Sequence, residues 1–271
     1  HGRAVARVAR WLRLDASILV PSDMSEARRK ALSDEGARVT VIEGPYDTAV
    51  DASKKLGGPT ALVVSDTSWP DYETVPRWII EGYSTIFAEV DEQVATAELP
   101  PYDLVAVQVG VGALAAATVR YLRDPRAKIV GVEPDRADCV AQSIVAGRPV
   151  SLPGGQDSIM AGLNCGTPSR VAWPELSSGL DASIVIDDDW AREGVRALAQ
   201  AGVVVGESGA AGLAGLMAIR AHASPEVAEA VGLRSDASIL LLATEGATDP
   251  DAWTEIVGAP PGASEIGSDR R

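Results

Sequence analysis

Two cysteines in 271 residues, Cys139 and Cys165, are too few for a disulfide framework. They form one bridge or stay as two buried thiols, and free thiols are the expectation. Basic charge is scarce as well. With 24 Lys and Arg against 38 Asp and Glu, the formal net charge is −14, which excludes a nucleic-acid partner that would need a basic face. Small ligands, cationic ones included, fit such a surface better. No apolar run reaches the roughly 18 to 20 residues of a membrane span, and no charged-then-apolar leader with a cleavage site opens the chain. No membrane partner is expected, and a cytoplasmic location is the default. An initiating Met is also missing. His1-Gly2-Arg3 runs straight into the helical pattern Ala4–Leu14 with no strand before it, so the chain reads as cut on its N-terminal side. There is no internal repeat.

A hydrophobic content of 46% is enough to bury a large core, and helix-period stretches alternate with short β-branched runs, the pattern of parallel α/β architecture. The pattern predicts a helix over 2–13, a strand over 16–21 and a helix N-capped by Ser25 with Glu26 in its first turn. A strand over 38–43, a helix over 46–55 and a strand over 60–64 complete a smaller βαβ subdomain, residues 1–64. Residues 65–257 read as a larger α/β domain. It opens with a polar, aromatic stretch over 65–72 and a helix over 83–96, followed by strand 103–109, helix 113–122, strand 127–134 and helix 139–146. After an irregular Gly- and Pro-rich stretch come strand 183–186, helix 188–202, strand 203–205, a Gly/Ala-rich helix from about 209 and strand 238–243. The tail, 258–271, is Gly, Pro, Ser and charge, and is expected to be disordered.

The most telling segment is the apolar run from Asp103 that ends in Gly110-Val111-Gly112 and passes into a small-residue helix at Ala113-Leu114. Glycines let the backbone turn sharply and approach a ligand, and a helix start offers unpaired N–H groups at its positive end. An anion, phosphate above all, is the natural occupant. Tight strand-to-helix packing explains the same glycines when they are taken alone. Thr244 ends an apolar strand, where its hydroxyl meets either a ligand nitrogen or backbone. Asp66 shares a Pro-bounded loop with Trp69. A carboxylate beside aromatic surface suits proton abstraction and pairing with an ammonium group, whereas an Asx turn or a helix cap accounts for an isolated aspartate. Tyr46 opens a predicted helix, as a ligand contact or a hydrophobic staple. Glu207 and Ser208 lie at another turn into a helix, which by itself explains the residue types.

Read in order, these segments resemble the fold-type II pyridoxal-phosphate enzymes, and within them the diaminopropionate ammonia-lyases. The resemblance runs from His1 to about Pro250 through His1-Gly2-Arg3, Asp66-Thr67-Ser68-Trp69, Gly82-Tyr83, Gly110-Val111-Gly112-Ala113-Leu114, Val132-Glu133-Pro134, Met160–Gly166, Gly206–Ala210 and Thr244-Glu245-Gly246. It implies two open, twisted, mostly parallel sheets flanked by helices, with the N-terminal part of that fold missing and residues 65–257 binding the cofactor. It also implies pyridoxal 5'-phosphate as cofactor, no metal, a small amino-acid substrate and a homodimer. The cofactor phosphate would lie on Gly110, Val111, Gly112, Ala113 and Leu114, the pyridine nitrogen on Thr244, and the ring beside His1, with Glu207 and Ser208 nearby. Asp66 would be the base toward the L-isomer, with Trp69 shaping the pocket and Tyr46 contacting substrate. A neutral hydroxyl on the ring nitrogen makes the ring a weaker electron sink than a carboxylate would, which suits rapid β-elimination.

Two features of the family have no counterpart. The Schiff-base lysine and a second acidic base belong upstream of His1, while Lys30, Lys54, Lys55 and Lys128 fall in surface-helix or strand-edge contexts. The implied reaction is α,β-elimination of 2,3-diaminopropionate to pyruvate and ammonia. A threonine or serine dehydratase would use the same cradle with a pocket for a hydroxyl leaving group, and Asp66–Trp69 favours the diamino substrate. A homologue that binds a phosphate ligand without catalysis is the reading that the missing lysine permits.

Overall fold

The computed structural model describes residues 1–122 and 126–262, and sorts the strands into two all-parallel sheets. The smaller contains α1 (Gly2–Leu12), β1 (Ser17–Pro21), α2 (Glu26–Asp34), β2 (Arg38–Ile42) and α3 (Tyr46–Lys54). β1 and β2 pair from Ser17 opposite Arg38 to Pro21 opposite Ile42. Ser25 caps α2 as its sequence suggests, accepting from the Arg28 N–H at 3.4 Å. Glu35, at the end of α2, is only 5% exposed and accepts from Arg7 Nε at 3.0 Å and Arg3 Nε at 3.1 Å, which fastens α1 to α2. Hydrogen bonding and charge from Arg7, then Arg3, hold its carboxyl down to about 2.

Residues 60–64, expected as a strand, have no ladder. The carbonyl of Val63 accepts from the Tyr72 hydroxyl and that of Val64 from the His1 ring, each at 2.8 Å, and the Leu62 side chain is exposed. Side chains have taken the acceptors a neighbouring strand would need.

The larger sheet and its helices follow with α4 (Thr74–Gly82), α5 (Ser84–Thr96), β3 (Leu104–Gln108), α6 (Ala113–Tyr121), β4 (Lys128–Pro134) and α7 (Cys139–Ala146). A 3-10 turn at Ala161–Leu163 leads to α8 (Trp173–Gly179), β5 (Ala182–Ile186), α9 (Asp188–Gln200), α10 (Glu207–His222), α11 (Pro225–Ala230), β6 (Ile239–Leu241) and α12 (Pro250–Val257). The sheet order is β5-β4-β3-β6, which puts β3 and β4 in the centre. Both faces are covered. Val107 and Val109 pack with the alanines of α6, Ile80 of α4, Phe87 of α5 and Leu176 of α8, while Leu104, Ala106 and Val132 meet α10. Burying Phe87 alone contributes roughly 1.5–3 kcal/mol. The Gly/Ala composition of α10 has a packing cause, since any Cβ at Gly212 or Gly215 would press into Ala106 or Val132 of the sheet.

Four helices fall in stretches that read as irregular or were not distinguished. Three of them, α8, α11 and α12, carry proline in their first turn, and α4 has Pro76 at its third residue. Proline there costs no hydrogen bond and is pre-set for a helix, so it starts these elements rather than ending others. The expected strand 203–205 is absent for a similar reason. The Val203 N–H closes the end of α9 on the Leu198 carbonyl, and Val203 and Val204 are exposed. The tail expected to be disordered lies outside the described residues beyond 262.

Glu133 is fully buried in β4 and accepts from the Val140 and Ala141 N–H groups at 2.8 and 2.7 Å, at the start of α7, and from Ser183 Oγ. Burial outweighs these donors and raises its carboxyl to about 7. The folded chain therefore binds one more proton than the unfolded chain between the ordinary value of 4.5 and about 7, and stability falls as pH rises through that window. Urea unfolding across pH 4–8 should show this loss, on the order of 3 kcal/mol, and Glu133→Gln should flatten it. Parallel profiles for the two proteins would refute the assignment.

Candidate active site

Parallel strands place all their C-terminal ends on one edge of the sheet, where ligands of open α/β folds bind. β3 and β6 are neighbours, so the turn Gly110–Gly112 and Thr244 emerge side by side on that edge. Gly112 has φ 93°, a left-handed conformation, and a side chain there would run into Leu176. A Cβ at Gly110 would sit 3.2 Å from both Cys165 Sγ and the Gly162 carbonyl. The turn must stay bare. No side chain caps α6, and the N–H groups of Gly112, Ala113 and Leu114 find no acceptor among the described residues. Such a turn, with the positive end of α6 behind it, has the donors an anion cradle needs.

Thr244 lies exposed beyond β6, and its Oγ1 accepts from Gln108 Nε2 at 2.8 Å. Its own hydroxyl hydrogen remains free to be donated into the cleft.

Asp66 is neither a turn nor a cap residue here. Its Oδ1 accepts from the Tyr46 hydroxyl at 3.0 Å, so Tyr46 serves as a polar partner and not as a hydrophobic staple. Burial first, and the Asp66 charge second, push the Tyr46 phenol well up, which keeps it protonated and donating. The Tyr83 phenol is raised by the same two causes. Cys165, the thiol beside Gly110, is pushed up by burial and by the charges of Cys139, Asp66 and Asp47. Cys165 shares a core cluster with the ring of Tyr46 and lies against Gly110. Both cysteines are free and buried, as expected.

The loop that carries Asp66 is tied down at both ends. The Tyr72 hydroxyl donates to the Val63 carbonyl and accepts from the Ser65 N–H at 2.9 Å, while its ring stacks on Trp69 at 4.0 Å. Lys54 Nζ stands 4.9 Å over the Trp69 ring. Ser68 Oγ lies 3.0 Å from Ser169 Oγ, and the Ser169 N–H donates to the Val111 carbonyl at 2.8 Å. This relay links the acidic loop to the cradle. His1, although exposed, is not frayed; its ring bonds Val64, two residues before Asp66.

The start of α10 is tied to the 3-10 turn and to Glu245. Ser208 Oγ accepts from the Gly162 N–H at 3.0 Å, and Glu245 Oε1 accepts from the Ser208 and Gly209 N–H groups at 2.9 and 3.2 Å. Glu207 is buried and pairs with Arg28 of α2 at 3.2 Å. Burial raises its carboxyl, partly opposed by Arg28. Gln108, Ser169 and Arg28 were not legible as site residues, although a lone glutamine closing the apolar run Leu104–Val107 is a signal of a kind.

The four lysines are held elsewhere. Lys30 pairs with Asp34, Lys54 with Asp51 and Lys128 with Asp181, and Lys55 is exposed at the end of α3.

The donor set suits one kind of ligand: a phosphate on the bare turn, joined to a flat ring whose nitrogen accepts from Thr244. A family model described as "Pyridoxal-phosphate dependent enzyme" matches residues 1–236. The chain belongs to that family. Within it, the chain is 34% identical over 271 residues to a diaminopropionate ammonia-lyase of Salmonella typhimurium and 35% identical over 268 residues to that of Escherichia coli K12. Each match covers 95% of this chain and 67% of the relative. The crystal structure of holo diaminopropionate ammonia lyase from Escherichia coli superimposes with a TM-score of 0.84 at 34% identity, over 95% of this chain and 67% of that one. Maize serine racemase, 24% identical with a TM-score of 0.77 over 95% of this chain and 74% of that one, shares the fold. Pyridoxal phosphate is thus the cofactor that the cradle and Thr244 fit.

The Arg28–Glu207 pair joins α2, beside the smaller sheet, to α10, beside the larger one. Replacing Arg28 by Met leaves a buried carboxylate without its partner and should cost about 3 kcal/mol, read as a lower urea midpoint. The double variant Arg28→Met with Glu207→Gln should recover most of the loss. An unchanged midpoint in the single variant would show that the pair does not hold α2 to α10.

Proposed function

We propose that this protein catalyses the pyridoxal-phosphate-dependent α,β-elimination of 2,3-diaminopropionate to pyruvate and ammonia. The observation that carries this reading is the Tyr46–Asp66 pair, 3.0 Å apart, grouped with Cys165 against the phosphate turn. A carboxylate held there suits both a basic role and a cationic diamino substrate, and the ammonia-lyase relatives at 34% and 35% identity support the same substrate class. When bound, the cofactor supplies electron withdrawal at the substrate's α-carbon.

The chain's own residues supply the rest. The N–H groups from Gly110 to Leu114 hold the phosphate, and Thr244 donates its hydroxyl hydrogen to the ring nitrogen without protonating it. Asp66, kept in place by the Tyr46 hydroxyl, takes the α-proton. The β-amino group must be protonated as it departs, so that ammonia and not an amide anion is expelled. Trp69, stacked on Tyr72, closes the pocket on the substrate's side. His1, Glu207 and Ser208 line the cofactor face. The released enamine hydrolyses without help from the protein, giving pyruvate and a second ammonia. We further propose a homodimer in the cytoplasm, as the resemblance implies; among the described residues no helix is long and apolar enough to cross a membrane. Light scattering checks the dimer.

A second reading is that the chain binds a phosphate ligand without chemistry. One assay separates the two. The protein, supplied with pyridoxal phosphate, is offered 2,3-diaminopropionate, serine and threonine, and the 2-oxo acid formed is measured. The ammonia-lyase reading expects turnover of the diamino acid above both hydroxy acids, and a loss of roughly 10²–10⁴ in kcat in Asp66→Asn with cofactor affinity retained. Turnover of serine or threonine in preference would make it a dehydratase. No 2-oxo acid from any of them, with the cofactor bound, would leave the binding protein.

A further inference from the structure

Gln108 is the last residue of β3 and 4% exposed, in a strand otherwise made of Leu, Val and Ala. A glutamine in such a place is expensive unless its amide is fully bonded. It is not: Nε2 donates to Thr244 Oγ1 at 2.8 Å, and Oε1 is buried with no hydrogen-bond partner among the described residues. The fold therefore bears an unpaired acceptor in order to keep one bond, and that bond is made to a residue 136 positions away on the edge of the cleft.

The bond has a chemical effect on Thr244. A free threonine hydroxyl can donate or accept in any direction as it rotates. Once the Gln108 amide donates into one lone pair of the oxygen, the hydroxyl hydrogen turns away from Gln108 and is presented as a donor on the other side. A donor at this point favours an unprotonated pyridine nitrogen, which accepts. An accepting threonine would favour the protonated ring. Gln108 also lies two residues before Gly110, on the same rigid strand that presents the phosphate turn. One residue thus sets both the direction of the Thr244 hydroxyl and its distance from the cradle.

We propose that Gln108 is a positioning residue that locks Thr244 as a hydrogen-bond donor to the cofactor's pyridine nitrogen and so keeps that nitrogen unprotonated. This rests on the reading in which the ring lies against Thr244. The test is a double-variant cycle on the full chain, using Gln108→Met, Thr244→Val and both together, each loaded with pyridoxal phosphate carrying 15N in the ring. The ring-nitrogen chemical shift and the cofactor Kd are read, with thermal unfolding of the unliganded protein as the control for packing.

Thr244→Val should move the nitrogen resonance and weaken binding. Gln108→Met should move the resonance in the same direction and weaken binding about fivefold. The double variant should match Thr244→Val alone, because Gln108 acts only through Thr244. Additive effects in the double variant, or a Gln108→Met protein with the wild-type resonance, would overturn the proposal while leaving the cofactor site intact. A Thr244→Val protein with the wild-type resonance would show that the ring is not at Thr244, and would remove the cofactor placement and this inference together. Should Gln108→Met fail to fold, Gln108→Asn keeps the amide but shortens its reach by a methylene, and the same outcomes apply.

Discussion

A strand buried on both faces must find hydrogen bonds from two neighbouring strands and packing from two helical layers, and β3 has both. It pairs in parallel with β4 and β6, meets α10 through Leu104 and Ala106, and meets α6 through Val107 and the Val109 that follows it. That confinement leaves the chain no freedom at its C-terminal end. The bare turn and the start of α6 are fixed in place by it, and so is the neighbouring edge from which Thr244 emerges.

The second half of the site is assembled differently. Asp66 and Trp69 lie on a loop with no regular structure, and their positions come from side-chain bonds: Tyr72 to Val63 and Ser65, Tyr46 to Asp66, and Ser68 to Ser169. The rigid half suits a cofactor that stays, and the half held by side chains suits a substrate that comes and goes. Arg28 of α2 and Glu207 of α10 add an ion pair whose acid is buried.

This difference also explains what could be read from the sequence. Elements with a strong period were legible, including β1 to β5 within a residue or two and the capping of α2 by Ser25. So was the cradle, because glycine at a strand-to-helix turn leaves few alternatives. Helices that begin with proline were hidden, since Pro174, Pro225 and Pro250 look like breaks until it is known which side of them the helix occupies. Strands 60–64 and 203–205 were expected from their β-branched residues, and failed because their backbone groups are committed to Tyr72, His1 and the end of α9. At the site, residue types pointed to Asp66 and Thr244, but their partners Tyr46 and Gln108 come from 20 and 136 positions away, and such pairings are set only by the completed fold.

The distance between Gln108 and Thr244 along the chain bears on how the protein is made. Translation proceeds N-terminus first at roughly 5–20 residues per second, so about seven to twenty-seven seconds separate the emergence of the two residues. In that interval β3 lacks β6 as a neighbour, and one side of it stands open in the nascent chain. The Gly110–Gly112 turn is therefore made well before Thr244 can reach the Gln108 amide, and that edge of the sheet is completed only when the final strand adds to it.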